Sequence, residues 1–164
     1  MIRIRSGGQS GVDRAALDCA VEAGLAYEGW CPAGGWAEDY PNPPGLLTMY
    51  PLLIETPSSD PAQRTEWNVR DSDVTLVLFT GEPSSRSPGT VLTEEVAARL
   101  RRPCIKAPLM DSSQSHMVAR ALASILDDDG VLNVAGPRES EAPGAYSLAR
   151  LFVRSVLDEL AASP

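Results

Sequence analysis

Ile2-Arg-Ile-Arg-Ser-Gly-Gly-Gln-Ser-Gly-Val-Asp-Arg-Ala-Ala-Leu-Asp18 runs a short strand into a glycine-rich turn, and the turn into a helix. Past the turn, Val12, Ala15, Ala16, Cys19, Ala20 and Ala23 recur at helical spacing, with Asp13, Arg14, Asp18 and Glu22 between them. Gly7, Gly8 and Gly11 permit a tight turn and a close approach by another group. The free N–H groups at such a helix start carry a partial positive charge, which predicts an anion seat formed by Gly7, Gly8, Gln9, Ser10 and Gly11. The plain structural alternative is a βα turn that binds nothing.

The pattern repeats along the chain. Leu25–Trp30 reads as a second strand and Gln63–Arg70 as a short helix. Val74–Phe79 is an almost continuous apolar, β-rich run of the kind expected for a central parallel strand covered on both faces. A helix over Val91–Arg101, a strand over Pro103–Lys106, a helix over residues 114 to 127 and a strand over Val131–Val134 follow. A closing helix then buries Leu148, Phe152, Val156 and Leu160. Alternation of this kind predicts an α/β domain with a mainly parallel central sheet flanked by helices, and the 164 residues read as one domain. Residues 36 to 60, with five prolines, read as an ordered irregular excursion of the length usually given to a lid or a functional loop.

Composition narrows the function. A net charge of −8 argues against a general nucleic-acid or anionic-membrane surface, so any anion must be held by local dipoles and a few chosen arginines. No apolar run approaches the ~20 residues that cross a bilayer. The chain opens on a strand rather than a signal peptide. Cys19, Cys31 and Cys104 form no metal pattern and read as reduced structural thiols, which points to the cytoplasm. One histidine, His116, leaves no zinc site of the usual kind and no Ser-His-Asp triad, and no metal ligands are assigned.

In open parallel sheets the βα loops share the carboxyl edge. Ser6–Gly11, Gly81–Thr90 and Ala135–Ser140 each follow a strand and each contain glycine, which predicts one cleft for a phosphorylated or nucleotide-like molecule. Gly89, Thr90, Gly136 and Arg138 belong to that cleft on this reading. Asn68 and Arg70, just before the central strand, are expected to form one wall. Ser59 or Asp60 is expected to cap the helix that carries them, with Pro61 at its first position. Trp36 is the favoured aromatic for stacking on a flat ring.

Several blocks resemble the putative molybdenum carrier family: Gly7–Asp18, Gly29-Trp-Cys-Pro32, Ala37-Glu-Asp39, Glu55–Asp60, Gln63–Asp73 and Leu132-Asn-Val-Ala-Gly-Pro-Arg-Glu-Ser140. The resemblance covers nearly the whole chain in order. It places the protein with molybdenum cofactor carriers, in a wider group that includes lysine-decarboxylase-like cytokinin-activating enzymes and the DNA-processing protein DprA. It implies a Rossmann-like three-layer fold, a pterin-phosphate or nucleotide ligand with molybdenum cofactor as the first candidate, and a homo-oligomer. Two departures stand out: Ala33, Gly34 and Gly35 replace basic residues after the Trp-Cys-Pro turn, and Pro88-Gly89-Thr90 replaces Gly-Gly-Thr.

Three functions are therefore open. The leading one is a binding or carrier protein. The second is a nucleoside-monophosphate glycosidase, whose relatives carry Pro-Gly-Gly-x-Gly-Thr-x-x-Glu. Here Glu94 arrives one residue late, a helical rotation of about 100°, and is the catalytic candidate only if the protein is an enzyme. The third is a nucleotide-sensing module that performs no chemistry.

Overall fold

The computed structural model describes residues 1–81 and 87–162. Their elements are β1 (Arg3–Arg5), α1 (Val12–Glu22), β2 (Ala26–Glu28), β3 (Trp30–Cys31), β4 (Ile54–Glu55), α2 (Pro61–Arg70), β5 (Val74–Phe79), α3 (Pro88–Leu100), β6 (Cys104–Pro108), α4 (Ser115–Ala123), β7 (Val131–Ala135) and α5 (Ala145–Ala162). Residues 82–86 of the expected second glycine loop lie outside the described residues.

Five strands form the main sheet in the order β2-β1-β7-β5-β6, and every described pairing in it is parallel. The last strand of the chain therefore sits at the centre. Its Leu132 faces Ile4 on β1 and Val74 on β5 in register. The expected strand over Leu25–Trp30 is in fact two. Gly29, at φ 151°, packs against the backbone of Ser6 and breaks the ladder, and Trp30–Cys31 leaves to pair with Ile54–Glu55 in a separate two-stranded sheet. Helix ends shift as well: Pro61 and Pro88 begin α2 and α3 in the first turn, where a missing N–H costs nothing.

The alternation of β5 sets the layers. Val74, Leu76 and Leu78 join Ile4, Leu132, Val134 and Phe152 in a fully buried core beneath α1, α4 and α5. The opposite face carries α2 and α3, packed through Val69, Val96 and Ala97. On that face a polar row crosses the centre of the sheet in register, Arg5–Asn133–Thr75, with Asn133 Nδ2 donating to Thr75 Oγ1 at 3.2 Å. The excursion builds its own small core of Cys31, Ala37, Leu46, Tyr50 and Leu53 on Leu17 of α1.

Both ends of the described chain lie at the amino ends of the strands, where Met1 and Ile2 line one apolar groove with Leu157, Leu160 and Ala161. No described helix is long and apolar enough to cross a membrane. Cys19 and Cys31 are buried free thiols, and burial pushes each up to about 11.

Asp18 joins the excursion to the main body. Its Oδ1 accepts the Tyr50 hydroxyl at 2.5 Å and its Oδ2 the Tyr146 hydroxyl at 2.6 Å. Replacing Asp18 by Ala strands two phenol groups and is expected to cost about 2–3 kcal/mol, read by urea denaturation. Tyr146→Phe removes its bond to Asp18 and the one its hydroxyl accepts from Arg150 Nη1 at 3.2 Å, and should cost about 1–2 kcal/mol.

Candidate functional site

The first glycine turn is packed and internally bonded. Gly8 and Gly11 adopt φ of 71° and 74°, the left-handed region open to glycine. A Cβ on Gly11 would stand 2.4 Å from the Pro137 carbonyl oxygen, and Val12 N–H donates to that same oxygen at 3.2 Å. The loops after β1 and β7 are thus pressed together. A Cβ on Gly7 would collide with the Arg64 guanidinium, which lies across the turn.

Several donors of this turn, among them Ser10 N–H, the Ser10 hydroxyl and Val12 N–H, are taken by the chain's own acceptors. Asp13 is buried, receives Arg64 Nη1 at 2.9 Å, and accepts the backbone N–H groups of Gln9 and Gly136. Burial pushes its carboxyl up, while Arg64 and those two N–H groups oppose the shift. Gln9 Oε1 accepts from Ser10 N–H at 3.0 Å and Glu38 N–H at 2.9 Å. Glu38 in turn accepts the Ser10 hydroxyl, Ser140 N–H at 3.1 Å and the Ser140 hydroxyl at 2.5 Å. Burial would raise Glu38, but the hydroxyls of Ser10 and Ser140 outweigh it and hold its carboxyl below the usual range. Glu139 likewise fills the start of α5, accepting Gly144 N–H at 2.5 Å and Tyr146 N–H at 2.9 Å.

Open space lies one strand over, above the carboxyl ends of β5 and β7. Two adjoining cavities of about 280 and 290 Å³ share Ser87, Pro88 and Glu141. The first is lined by Gln9, Arg64, Thr65, Gly89, Gly136 and Arg138 together with Asp60–Ala62, and the starts of α2 and α3 converge on it. Asp60 caps α2 by accepting Ala62 N–H at 2.9 Å, and Ser87 caps α3 by accepting Thr90 N–H at 3.3 Å. The second cavity is lined by Phe79, Thr80, Thr90 and Pro137. Arg138 and Glu141 are tied at 3.2 Å through both the guanidinium Nε and the Arg138 N–H.

Of the residues assigned to the cleft from sequence, Gln9, Gly89, Thr90, Gly136 and Arg138 come together here. Gly7, Gly8, Ser10 and Gly11 form the packed turn beside it. Asn68 and Arg70 are not among the lining residues. Asn68 spends its amide on the Trp30 backbone, at 2.8 and 2.9 Å, and Arg70 pairs with Asp71 at 2.6 and 2.8 Å while covering Trp67. Glu94 faces β6, paired with Lys106 at 3.1 Å. Arg64 and Glu141 were not assigned to the cleft from sequence. For Arg64 the signal was its place one turn into a Pro-capped helix; for Glu141 it was only membership of a βα loop.

The crevice coincides with the point where the sheet changes direction. β1 leads to β2 on one side, β5 leads to β6 on the other, and the helices switch faces between them, which is where doubly wound sheets hold ligands. Residues 4–157 match the model of the Circularly permutated YpsA SLOG family. The chain belongs to that family. Permutation explains the strand order. Starting a YpsA SLOG-type chain at β7 turns β2-β1-β7-β5-β6 into 3-2-1-4-5, the doubly wound order, and the adjacent chain ends make such a cut feasible. The fold is similar to the crystal structure of a "putative molybdenum carrier protein" from Syntrophus aciditrophicus SB. That similarity has a TM-score of 0.76 and 36% identity, over 96% of this chain and 93% of that one. No curated protein matches the chain.

Two outcomes check this geometry. Gly11→Ala combines a left-handed backbone with a clash against a carbonyl and is expected to cost at least about 2 kcal/mol, whereas Gly89→Ala, helical and in open space, should be neutral or slightly stabilising in thermal melts. A permutant with the two ends joined by a Gly/Ser linker and the chain opened between α4 and β7 is expected to fold, with a native-like circular dichroism spectrum and a cooperative melt.

Proposed function

We propose that this YpsA SLOG protein binds and carries a phosphorylated, ring-containing small molecule in the crevice between the β5 and β7 loops. One observation carries the reading: the starts of α2 and α3, with Arg64 and Arg138, converge on a single cavity at the point where the sheet switches direction. Two helix dipoles and two guanidinium groups suit an anion, and charge-assisted hydrogen bonds supply about 1.5–3 kcal/mol each. The adjoining cavity with Phe79 suits a flat ring.

The name of the Syntrophus protein makes molybdenum cofactor the first candidate, with a nucleotide as the alternative. The residues of the crevice are suited to the phosphate and the pterin ring, and a pterin dithiolene brings its own sulfur ligands for the metal. A glycosidase reading through Glu94 has less support, because that side chain faces Lys106 rather than the crevice. We assign the protein to the cytoplasm, in keeping with its free buried thiols, and to a homo-oligomer, as the family resemblance implies.

Native mass spectrometry of the purified protein, followed by denaturation, reads subunit count and any retained small molecule together. A pterin or nucleotide is the expected finding. An empty protein that binds no phosphorylated ligand in calorimetry would refute the proposal. Arg138→Ala is expected to weaken the identified ligand about tenfold or more without lowering the melting temperature by more than a few degrees, whereas Arg64→Ala should also destabilise, because it leaves Asp13 buried without its cation.

A further inference from the structure

Among the described residues, Glu141 is the one carboxylate that borders both halves of the crevice, and the function proposed above gives it no role. The two halves differ in chemistry. Arg64, Arg138 and two helix starts give the first half most of its donors, with the Asp60 carboxylate turned to the Ala62 N–H at the start of α2. The second half is lined by Phe79, Thr80, Thr90 and Pro137, and the acceptor-only oxygens of Glu141 lie where the two halves meet. Arg138 holds Glu141 in place from two directions, at 3.2 Å each, leaving further acceptor positions on the same carboxylate.

A fixed carboxylate beside an anion seat repels a bare phosphate. It is tolerated without loss only when the ligand brings a hydrogen-bond donor to meet it. We infer that Glu141 is a specificity-determining residue that accepts a hydrogen bond from the non-phosphate end of the ligand. The crevice on this view takes phosphate monoesters bearing a donor-rich end, either a sugar diol or the amino and lactam N–H edge of a ring, and discriminates against inorganic phosphate. The inference rests on the crevice being the binding site.

GMP is the probe of choice, since it carries a ribose diol and a guanine ring whose 2-amino-6-oxo edge matches the 2-amino-4-oxo edge of a pterin. Calorimetry compares GMP, its 2′,3′-dideoxy analogue and inorganic phosphate on the wild-type protein and on Glu141→Gln and Glu141→Ala. Wild type should prefer GMP to phosphate. Glu141→Gln and Glu141→Ala should each lower GMP affinity at least tenfold, while phosphate affinity stays constant or rises. Weak binding of the dideoxy analogue by wild type assigns the donor to the ribose, and unchanged binding assigns it to the ring. An equal loss of GMP and phosphate in Glu141→Gln would make Glu141 a prop for Arg138, and an equal gain would make it a bystander charge. Wild type that binds phosphate as well as or better than GMP overturns this inference alone, whereas wild type that binds neither overturns the crevice as a binding site.

Discussion

Asp13 is the constraint on which the carboxyl edge depends. A carboxylate deprived of water must gather donors around itself, and this one draws Arg64 from α2, the Gln9 N–H from the first turn and the Gly136 N–H from the loop after β7. Three segments far apart in sequence are fixed to one point. Gly7 and Gly11 are small because Arg64 and the Pro137–Arg138 backbone must pass against them on the way. The turn that opens the chain is in this sense a keystone: its Gln9 N–H meets an internal anion, so that neighbouring loops stand at the right height around the crevice.

Much of the architecture was legible in the sequence because it is local. Val74–Phe79 is apolar on both faces but for Thr75 and could only be an interior strand, and the 3.6-residue repeat of Val12, Ala15, Ala16 and Cys19 could only be a helix laid on a core. The cap at Asp60 with Pro61 after it was equally plain. Strand order was not legible, because nothing local in Val131–Ala135 says that the last strand inserts between β1 and β5. That single placement sets the direction switch, and with it the crevice, in the gap between β7 and β5.

The assignment of side chains within the site was legible only in part, for a related reason. Helical spacing put Arg64, Asn68 and Asp71 on one face, but it could not say which end of that face meets the carboxyl edge. Arg64, near the start of α2, reaches the crevice; Asn68, a turn later, is consumed by the main chain of Trp30, and Arg70 by Asp71. The one-residue offset of Glu94 was visible in the sequence, and in the structure that side chain is turned toward Lys106. Glu141 had no periodicity to mark it, since loop residues acquire their neighbours from the loops they meet.

Met1 and the last turn of α5 lie side by side at the amino ends of the strands, while the crevice opens at the carboxyl ends. Strands of five to six residues separate these poles by roughly 17–20 Å. A tether at either end, whether an affinity handle, a surface linkage or a fused domain, would hold the molecule by its closed pole and leave the open pole facing outward. Anything entering the crevice would then not have to pass the attachment point.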